Sequence, residues 1–166
     1  MSATPETILA VLERVADPEI PVLNIVEMGI VRDVSVDGTR VRVDVTPTYS
    51  GCPALHAIRE AIVAALEENG MPGAEVRTVY SPAWSTDGWS AETRQKLKRY
   101  GIAPPEDKAT SGGESPLPFA VQRSPVACPF CNSTDTELKS AFGSTACKAL
   151  HYCHACRQPF EHFKCH

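Results

Sequence analysis

Two Cys-x-x-Cys pairs near the C-terminus constrain this chain more than any other feature. Cys128 and Cys131 form the first pair, and Cys153 and Cys156 form the second, with 21 residues between the pairs. A C-x-x-C turn brings two thiolates together from one tight loop, and two such loops complete a tetrahedron around a zinc ion. The four cysteines therefore predict a β-rich zinc ribbon, whose two strands we expect at 137–142 and 149–152.

A site with four protein ligands has closed coordination and leaves no position open for water or substrate. We therefore expect a structural Zn²⁺, while iron or an iron–sulfur cluster also suits four thiolates. A ribbon this short has too small a core to fold without its metal. Two more cysteines and four histidines lie nearby; we expect packing or surface roles for them and leave open their exchange as ligands: Cys147, Cys165, His151, His154, His162 and His166.

The first hundred residues carry the patterns of a small α+β domain. A capped helix start at Thr4, a hairpin turn at Asp37-Gly38 and a crossover helix that stops at Gly70 predict the order α-β-β-α-β-α. The crossover makes the second and third strands parallel, so the three-stranded sheet should be mixed. The expected elements are a helix from residue 5 to Asp17-Pro18, strands at 30–36 and 41–45, a helix over 53–69, a strand at 75–80 and a helix over 91–100.

Residues 103–125 differ in composition from the segments on either side. They contain five prolines, two glycines and three serines, a composition that cannot bury enough apolar surface to order itself. We expect a first domain at 1–102, a flexible linker at 103–125 and a zinc ribbon at 126–166.

Charge and hydropathy exclude several function classes. The net charge is -4, and residues 126–166 carry four Lys or Arg against three Asp or Glu, which is too balanced for a surface that tracks a phosphate backbone. Nucleic acid is therefore an unfavoured partner. With no long apolar run and no signal-peptide pattern at the N-terminus, we expect a cytoplasmic protein that does not enter the membrane.

Cys52 is the only cysteine of the first domain, and it directly precedes Pro53 at the expected start of the second helix. The positive end of a helix stabilises a thiolate and lowers its pKa, so Cys52 is a candidate functional thiol; a buried cap residue is the alternative. His56 is a weak candidate for its base. Asp17 and Glu19, in the proline-bounded DPEIP loop, are possible helpers, although acidic residues there more often turn the chain.

Four motifs resemble one known family. DPEIP near residue 17, TPTYSGCPA at 46–54, SPAWSTDGW at 81–89 and the terminal cysteine strings occur in the order found in the phenylacetate-degradation family PaaD. The first domain is also similar to bacterial SufT and to eukaryotic cytosolic iron–sulfur assembly factors. The resemblance implies that Cys52 is the functional thiol, and it places Cys147 and Cys165 within family-like strings.

The resemblance implies a maturation factor, itself without catalytic residues, that assists iron or iron–sulfur insertion into the phenylacetyl-CoA epoxidase system. Its partners would be the epoxidase and reductase subunits and the iron–sulfur assembly machinery. One cysteine cannot hold a cluster, so a homodimer sharing two Cys52 thiolates, or a site shared with the client, is expected if a cluster is bound. A stoichiometric epoxidase subunit and a nucleic-acid-binding ribbon are the alternatives. An oxygenase component is not favoured, because no helix is expected to carry the Glu-x-x-His pair of a di-iron site.

Overall fold

The computed structural model describes residues 3–49, 51–106 and 125–164. Within them the chain forms two compact units, the first ending at Thr93 and the second beginning at Arg94. The elements are α1 (Pro5–Leu12), β1 (Val31–Asp37), β2 (Arg40–Val45), α2 (Ala54–Glu68), β3 (Glu75–Thr78), α3 (Ala91–Arg99), β4 (Ile102–Ala103), β5 (Thr136–Ser140), β6 (Lys148–Cys153) and β7 (Pro159–Phe163). The α+β class and the α-β-β-α-β-α order are confirmed.

The first unit is built on a mixed three-stranded sheet of order β1-β2-β3. Strands β1 and β2 form the predicted antiparallel hairpin, in which Asp37 pairs with Arg40 across the turn. Strand β3 then runs parallel to β2, pairing Val43 with Val76. A parallel neighbour needs a crossover, and α2 provides it.

The core of the first unit lies between one face of this sheet and helices α1 and α2. Helix α1 contacts both α2 and β1, and α2 contacts β3. The side chains that fill the space are aliphatic and spaced by one helical turn or by alternation along β2: Ile8, Val11, Leu12, Ile58, Ile62, Leu66, Val41, Val43 and Val45. The first unit thus has an aliphatic core of its own.

Helix α1 ends at Leu12, earlier than the expected stop at Asp17. The amides of Arg14 and Val15 bond to carbonyls three residues back, those of Val11 and Leu12, so the chain tightens into turns instead of continuing the helix. Val15 is nevertheless buried. The apolar spacing that suggested a longer helix is therefore explained by Val15, which is buried although it lies on a turn after the helix.

Trp84 and Trp89 hold the segment before α3 against the first unit's own loop. Both indole Nε1–H groups donate to the carbonyl oxygen of Met28, at 2.9 and 3.1 Å, and the two rings meet edge to face with centroids 6.0 Å apart. Buried tryptophans usually satisfy their N–H in this way. Helix α3 then starts behind Ser90, whose hydroxyl accepts from the amide of Thr93.

The second unit contains a four-stranded sheet of order β4-β7-β6-β5. Strands β5 and β6 correspond to the two expected ribbon strands, shifted by one or two residues at their ends. Strand β7 was not expected; it pairs antiparallel with β6 from Lys148–Phe163 to Tyr152–Pro159. Strand β4 was not expected either, and it pairs parallel with β7.

The division between the units differs from the predicted domain boundary. Ile102 and Ala103 were expected at the junction of first domain and linker, but they pair with Glu161 and His162 of β7 and are buried. Residues 94–103 therefore belong to the second unit. The rest of the expected linker lies largely outside the described residues, which end at 106 and resume at 125.

The helices are short. Helix α2, with 15 residues, would span about 22 Å, less than the ~30 Å of a bilayer core. None of the helices in the described part of the chain is long and apolar enough to cross a membrane.

Candidate functional site

The structure brings the four predicted metal ligands together. Any two of the sulfurs of Cys128, Cys131, Cys153 and Cys156 lie within 4.8 Å of each other. The Cys128–Cys156 and Cys131–Cys153 sulfur pairs are 3.7 and 3.6 Å apart. Four sulfurs at about 2.3 Å from a central zinc ion would lie about 3.8 Å apart at the corners of a tetrahedron. The donor set and its spacing therefore fit a tetrahedral thiolate metal centre.

Each cysteine pair sits on a tight turn of the same design. In the first, the amide of Cys128 bonds to the carbonyl of Ser133, and in the second the amide of Cys153 bonds to the carbonyl of Gln158, five residues on in each case. The residue after each pair, Asn132 or Arg157, has a left-handed backbone with φ near 60°. A left-handed residue reverses the chain directly behind the second thiol of each pair. Neither residue was predicted from the sequence, although asparagine is a recognised signal for this conformation.

The environment of the four thiols is uneven. Cys128 and Cys153 are fully buried, and with Ala103 and Phe160 they form a small buried cluster within this unit; Cys131 is exposed. A hydrogen bond from the backbone N–H of Cys156 lowers the pKa of Cys153 to about 7. Burial raises the pKa of Cys156 to about 12. Four thiolates would repel one another in this space, and a bound metal ion would stabilise all four in ionised form.

The other candidate ligands are placed outside this group of four sulfurs. The buried sulfur of Cys147 lies 3.0 Å from the hydroxyl oxygen of Thr145. His151 stacks on Phe160 and meets His162 edge to face, while His154 pairs with Glu137 at 3.4 Å. In these described residues the side chains occupy packing or surface positions, and the expectation that they do not act as ligands stays a prediction. Cys165 and His166 lie outside the described residues.

Cys52 occupies the last turn before α2, two residues ahead of Ala54, and is partly buried. Its amide bonds to the carbonyl of Tyr49, and its own carbonyl accepts from Leu55. These bonds fix the backbone on both sides of the thiol.

The pKa of Cys52 is raised, opposite to the direction expected for a helix end. The largest cause is burial of the thiol. The backbone N–H groups of Ala54 and Leu55 and the hydroxyl of Thr48 favour the thiolate, but they are outweighed, and the Glu19 carboxylate raises the pKa further. The expectation of a lowered pKa is therefore wrong. Desolvation depends on how the loop folds over the sulfur, which sequence position alone does not reveal.

Asp17 and Glu19, the two suggested helpers, have different surroundings. Asp17 is 4% exposed, and its Oδ1 accepts from the amides of Glu19 and Ile20, both at 2.8 Å. Asp17 is thus the anchor of the DPEIP turn. Of the two residues, Glu19 is the one whose charge raises the pKa of Cys52. The structure therefore links only one of the two suggested helpers to the thiol.

His56, the weak candidate for a base, lies beside Glu60 on the surface of α2. Its Nε2 lies 3.3 Å from a carboxylate oxygen of Glu60 one turn on, with the histidine side chain 84% exposed. This is an ordinary surface pair. Thr48, in contrast, was not singled out in the sequence although its hydroxyl bonds to the Cys52 sulfur.

Comparison with known proteins gives the chain a family. It is 44% identical over 158 residues, 95% of this chain and 91% of the relative, to an Escherichia coli K12 protein whose name makes it one subunit of a "Putative 1,2-phenylacetyl-CoA epoxidase". The chain belongs to the PaaD family. Residues 118–164 match the PaaD zinc beta ribbon domain, which covers all four clustered cysteines.

The first unit of this PaaD-family chain has broader relationships. Residues 5–80 match the family described as iron–sulfur cluster assembly protein. A Porphyromonas gingivalis W83 relative named "Fe-S protein maturation auxiliary factor" is 36% identical over 97 residues, 57% of this chain and 90% of the relative. A crystal structure of a DUF59 domain from Bacillus anthracis is similar with a TM-score of 0.53 and 31% identity, over 56% of this chain and 90% of the other. The cysteine-centred loop therefore belongs to an iron–sulfur-related domain.

Proposed function

We propose that this protein is a maturation factor that assists iron or iron–sulfur insertion into a subunit of the phenylacetyl-CoA epoxidase system. The observation that carries the proposal is the union, in one chain, of an iron–sulfur cluster assembly domain at 5–80 with a PaaD zinc ribbon at 118–164. The first domain indicates a role in iron–sulfur assembly, and membership of the PaaD family indicates that the client belongs to the epoxidase system. The proposed clients are the epoxidase and reductase subunits. The iron–sulfur assembly machinery is the proposed source of the iron or cluster.

In this proposal the four-cysteine centre holds a structural Zn²⁺. Cys128, Cys131, Cys153 and Cys156 would fill all four positions of a tetrahedral ion, which leaves none for a substrate. Their sulfur–sulfur spacings of 3.6 and 3.7 Å support this ligand set. The bound ion would supply folding energy to the ribbon, and these residues would hold it without taking part in iron transfer.

Cys52 is the proposed contact to the iron cargo. Cys52 is half-buried, and the hydroxyl of Thr48 and the amides of Ala54 and Leu55 bond to its sulfur. Because the pKa of Cys52 is raised, the thiol is protonated at neutral pH, and coordination of iron must release that proton. Iron capture should therefore strengthen as the pH rises, and Glu19 would add a second, oxygen ligand of suitable charge.

One thiol and one carboxylate cannot complete the coordination of a cluster. We therefore propose that the cargo is held between Cys52 and a second protein, either the client or another copy of this chain. Size measurement with and without Fe²⁺ under anaerobic conditions separates these two arrangements.

The test uses cells that lack the gene and carry the epoxidase system. Maturation predicts an epoxidase or reductase deficient in iron or in its cluster, restored by the wild-type protein and by a Cys147→Ser control, but not by Cys52→Ala. The control removes a thiol that lies outside the group of four clustered cysteines. Purified epoxidase already loaded with iron and cluster should turn over without this protein. Normal metal content in the deleted cells would contradict the proposal.

A stoichiometric epoxidase subunit is the second candidate, because the Escherichia coli relative is named as a subunit of the epoxidase. It predicts that loaded epoxidase purified without this chain is inactive, and that adding the chain at equal molarity restores activity. Under this alternative Cys52→Ala would restore activity as well as the wild type does.

A further inference from the structure

The second unit begins before the matched ribbon domain. Residues 94–103, which we name the lead-in segment, comprise most of α3, from residue 94 onward, and strand β4. They precede the matched range 118–164, yet they fold within the same compact unit as the four cysteines.

Strand β4 completes the sheet that carries the second cysteine pair. Ile102 pairs with Glu161 and Ala103 with His162 of β7. Ala103 is 1% exposed, and it packs in the same buried cluster as Cys128, Cys153 and Phe160. Two of the four thiols therefore have a lead-in residue as a core neighbour.

The lead-in segment also contacts the turn of the first cysteine pair. The Lys98 ammonium donates to the side-chain oxygen of Asn132 at 2.5 Å, and Asn132 is the left-handed residue directly behind Cys131. Gly101 lies under the ring of Phe130, the residue before Cys131; a Cβ at Gly101 would stand 3.2 Å from that ring. Gly101 has φ of +94°, where a glycine meets no steric penalty.

We infer that the lead-in segment is a positioning element of the metal centre, and that metal binding stabilises it together with the ribbon. This inference rests on the proposed metal site. The core that Ala103 shares with two thiols is too small to fold by apolar burial alone, so the free energy of metal binding is also the folding free energy of every strand around it. Strand β4 has only two residues, and its order depends on β7 and on the cysteine core.

Hydrogen exchange of the full chain, loaded with one equivalent of Zn²⁺ or stripped by a chelator, tests this dependence. Peptides covering 100–104 should lose protection on metal removal together with peptides of β6 and β7. Peptides of β2 in the first unit should keep theirs. Protection of 100–104 that survives metal removal while β6 and β7 open would overturn the inference.

A matched pair of glycine variants tests positioning directly. Gly101→Ala adds left-handed strain and displaces Phe130, and should weaken Zn²⁺ binding roughly tenfold in competition with a chromophoric chelator. Gly73→Ala has the same kind of strain, at φ of +73° with open space around its Cβ, and lies in the first unit, so its zinc affinity should equal that of the wild type.

The metal site and the positioning role give different results in this assay when they fail. If the wild type binds no Zn²⁺, the proposed metal site is wrong. If the wild type binds one ion per chain and Gly101→Ala binds it equally well, the site stands and the positioning role of the lead-in segment is refuted. Co²⁺ substituted for Zn²⁺ should keep a tetrahedral thiolate spectrum in Gly101→Ala at saturation, because no ligand is removed.

Discussion

Replacing Asp17 by alanine should destabilise the first unit by about 3 kcal/mol. The Asp17 carboxylate is buried, and one of its oxygens accepts from the amides of Glu19 and Ile20 at 2.8 Å each. Alanine leaves both amides without this acceptor, in a turn where the Ile20 bond is buried. A buried donor deprived of its acceptor costs about 1–3 kcal/mol; about 2 kcal/mol for the buried Ile20 amide and about 1 kcal/mol for the half-buried Glu19 amide give the stated figure.

The assay can isolate the first unit because the chain has only two tryptophans, and both are buried there against the carbonyl of Met28. Thermal unfolding followed by tryptophan fluorescence therefore reports on the first unit. A loss of about 3 kcal/mol in a unit of this size should lower its Tm by roughly 12 °C or more.

Two variants separate turn anchoring from a chemical role. Asp17→Asn keeps a side-chain oxygen that can accept from both amides, and should lose far less stability than Asp17→Ala. Glu19→Gln should leave the Tm within about 2 °C of the wild type, since an intermediate surface position away from the core contributes little. An Asp17→Ala variant as stable as Asp17→Asn would refute the anchoring role.

Three further outcomes are expected. Cys153→Ser should abolish binding of one Zn²⁺ per chain, measured by atomic absorption, and unfold the ribbon while the tryptophan-monitored Tm stays unchanged. Iodoacetamide should modify Cys52 more slowly than a free thiol at pH 7, by peptide mass spectrometry, and Glu19→Gln should speed it, because the Glu19 charge helps raise the pKa of Cys52. The hydrogen bond from Arg77 lowers the pKa of Asp44. The stability that ionised Asp44 contributes is therefore present above the unfolded pKa of about 3.9 and is lost as the pH falls through the lower folded pKa. Asp44→Asn should flatten this part of the profile of stability against pH in acid unfolding.

Local sequence patterns predicted most of the first unit. The alternation of Val41, Val43 and Val45 behind an Asp-Gly turn encodes the hairpin within a few residues, and the Thr4 cap marks the start of α1 through a bond to Thr7. Such signals need no knowledge of distant contacts. The cysteine cluster was predictable for the same reason, because each C-x-x-C turn is local. A tetrahedral metal site needs four ligands, which two such turns together provide.

The elements that were missed depend on distant contacts. Strand β7 has buried apolar residues only at Phe160 and Phe163, too few for a clear alternation. Strand β4 has two residues and exists through its pairing with β7. The raised pKa of Cys52 likewise depends on burial by the folded loop, whereas the helix end that would lower it is visible in the sequence.

The two units have different sources of stability, and this difference bears on function. The first has an aliphatic core between helices and sheet, so it can present Cys52 without any metal of its own. The second has a buried cluster made in part of the proposed metal ligands Cys128 and Cys153, so its folding should depend on whether metal is bound. If the metal-free chain retains a folded first unit with Cys52 open to modification but no longer supports epoxidase maturation in cells, the ribbon contributes client recognition and Cys52 the chemistry. If it still supports maturation, the first unit is sufficient for both.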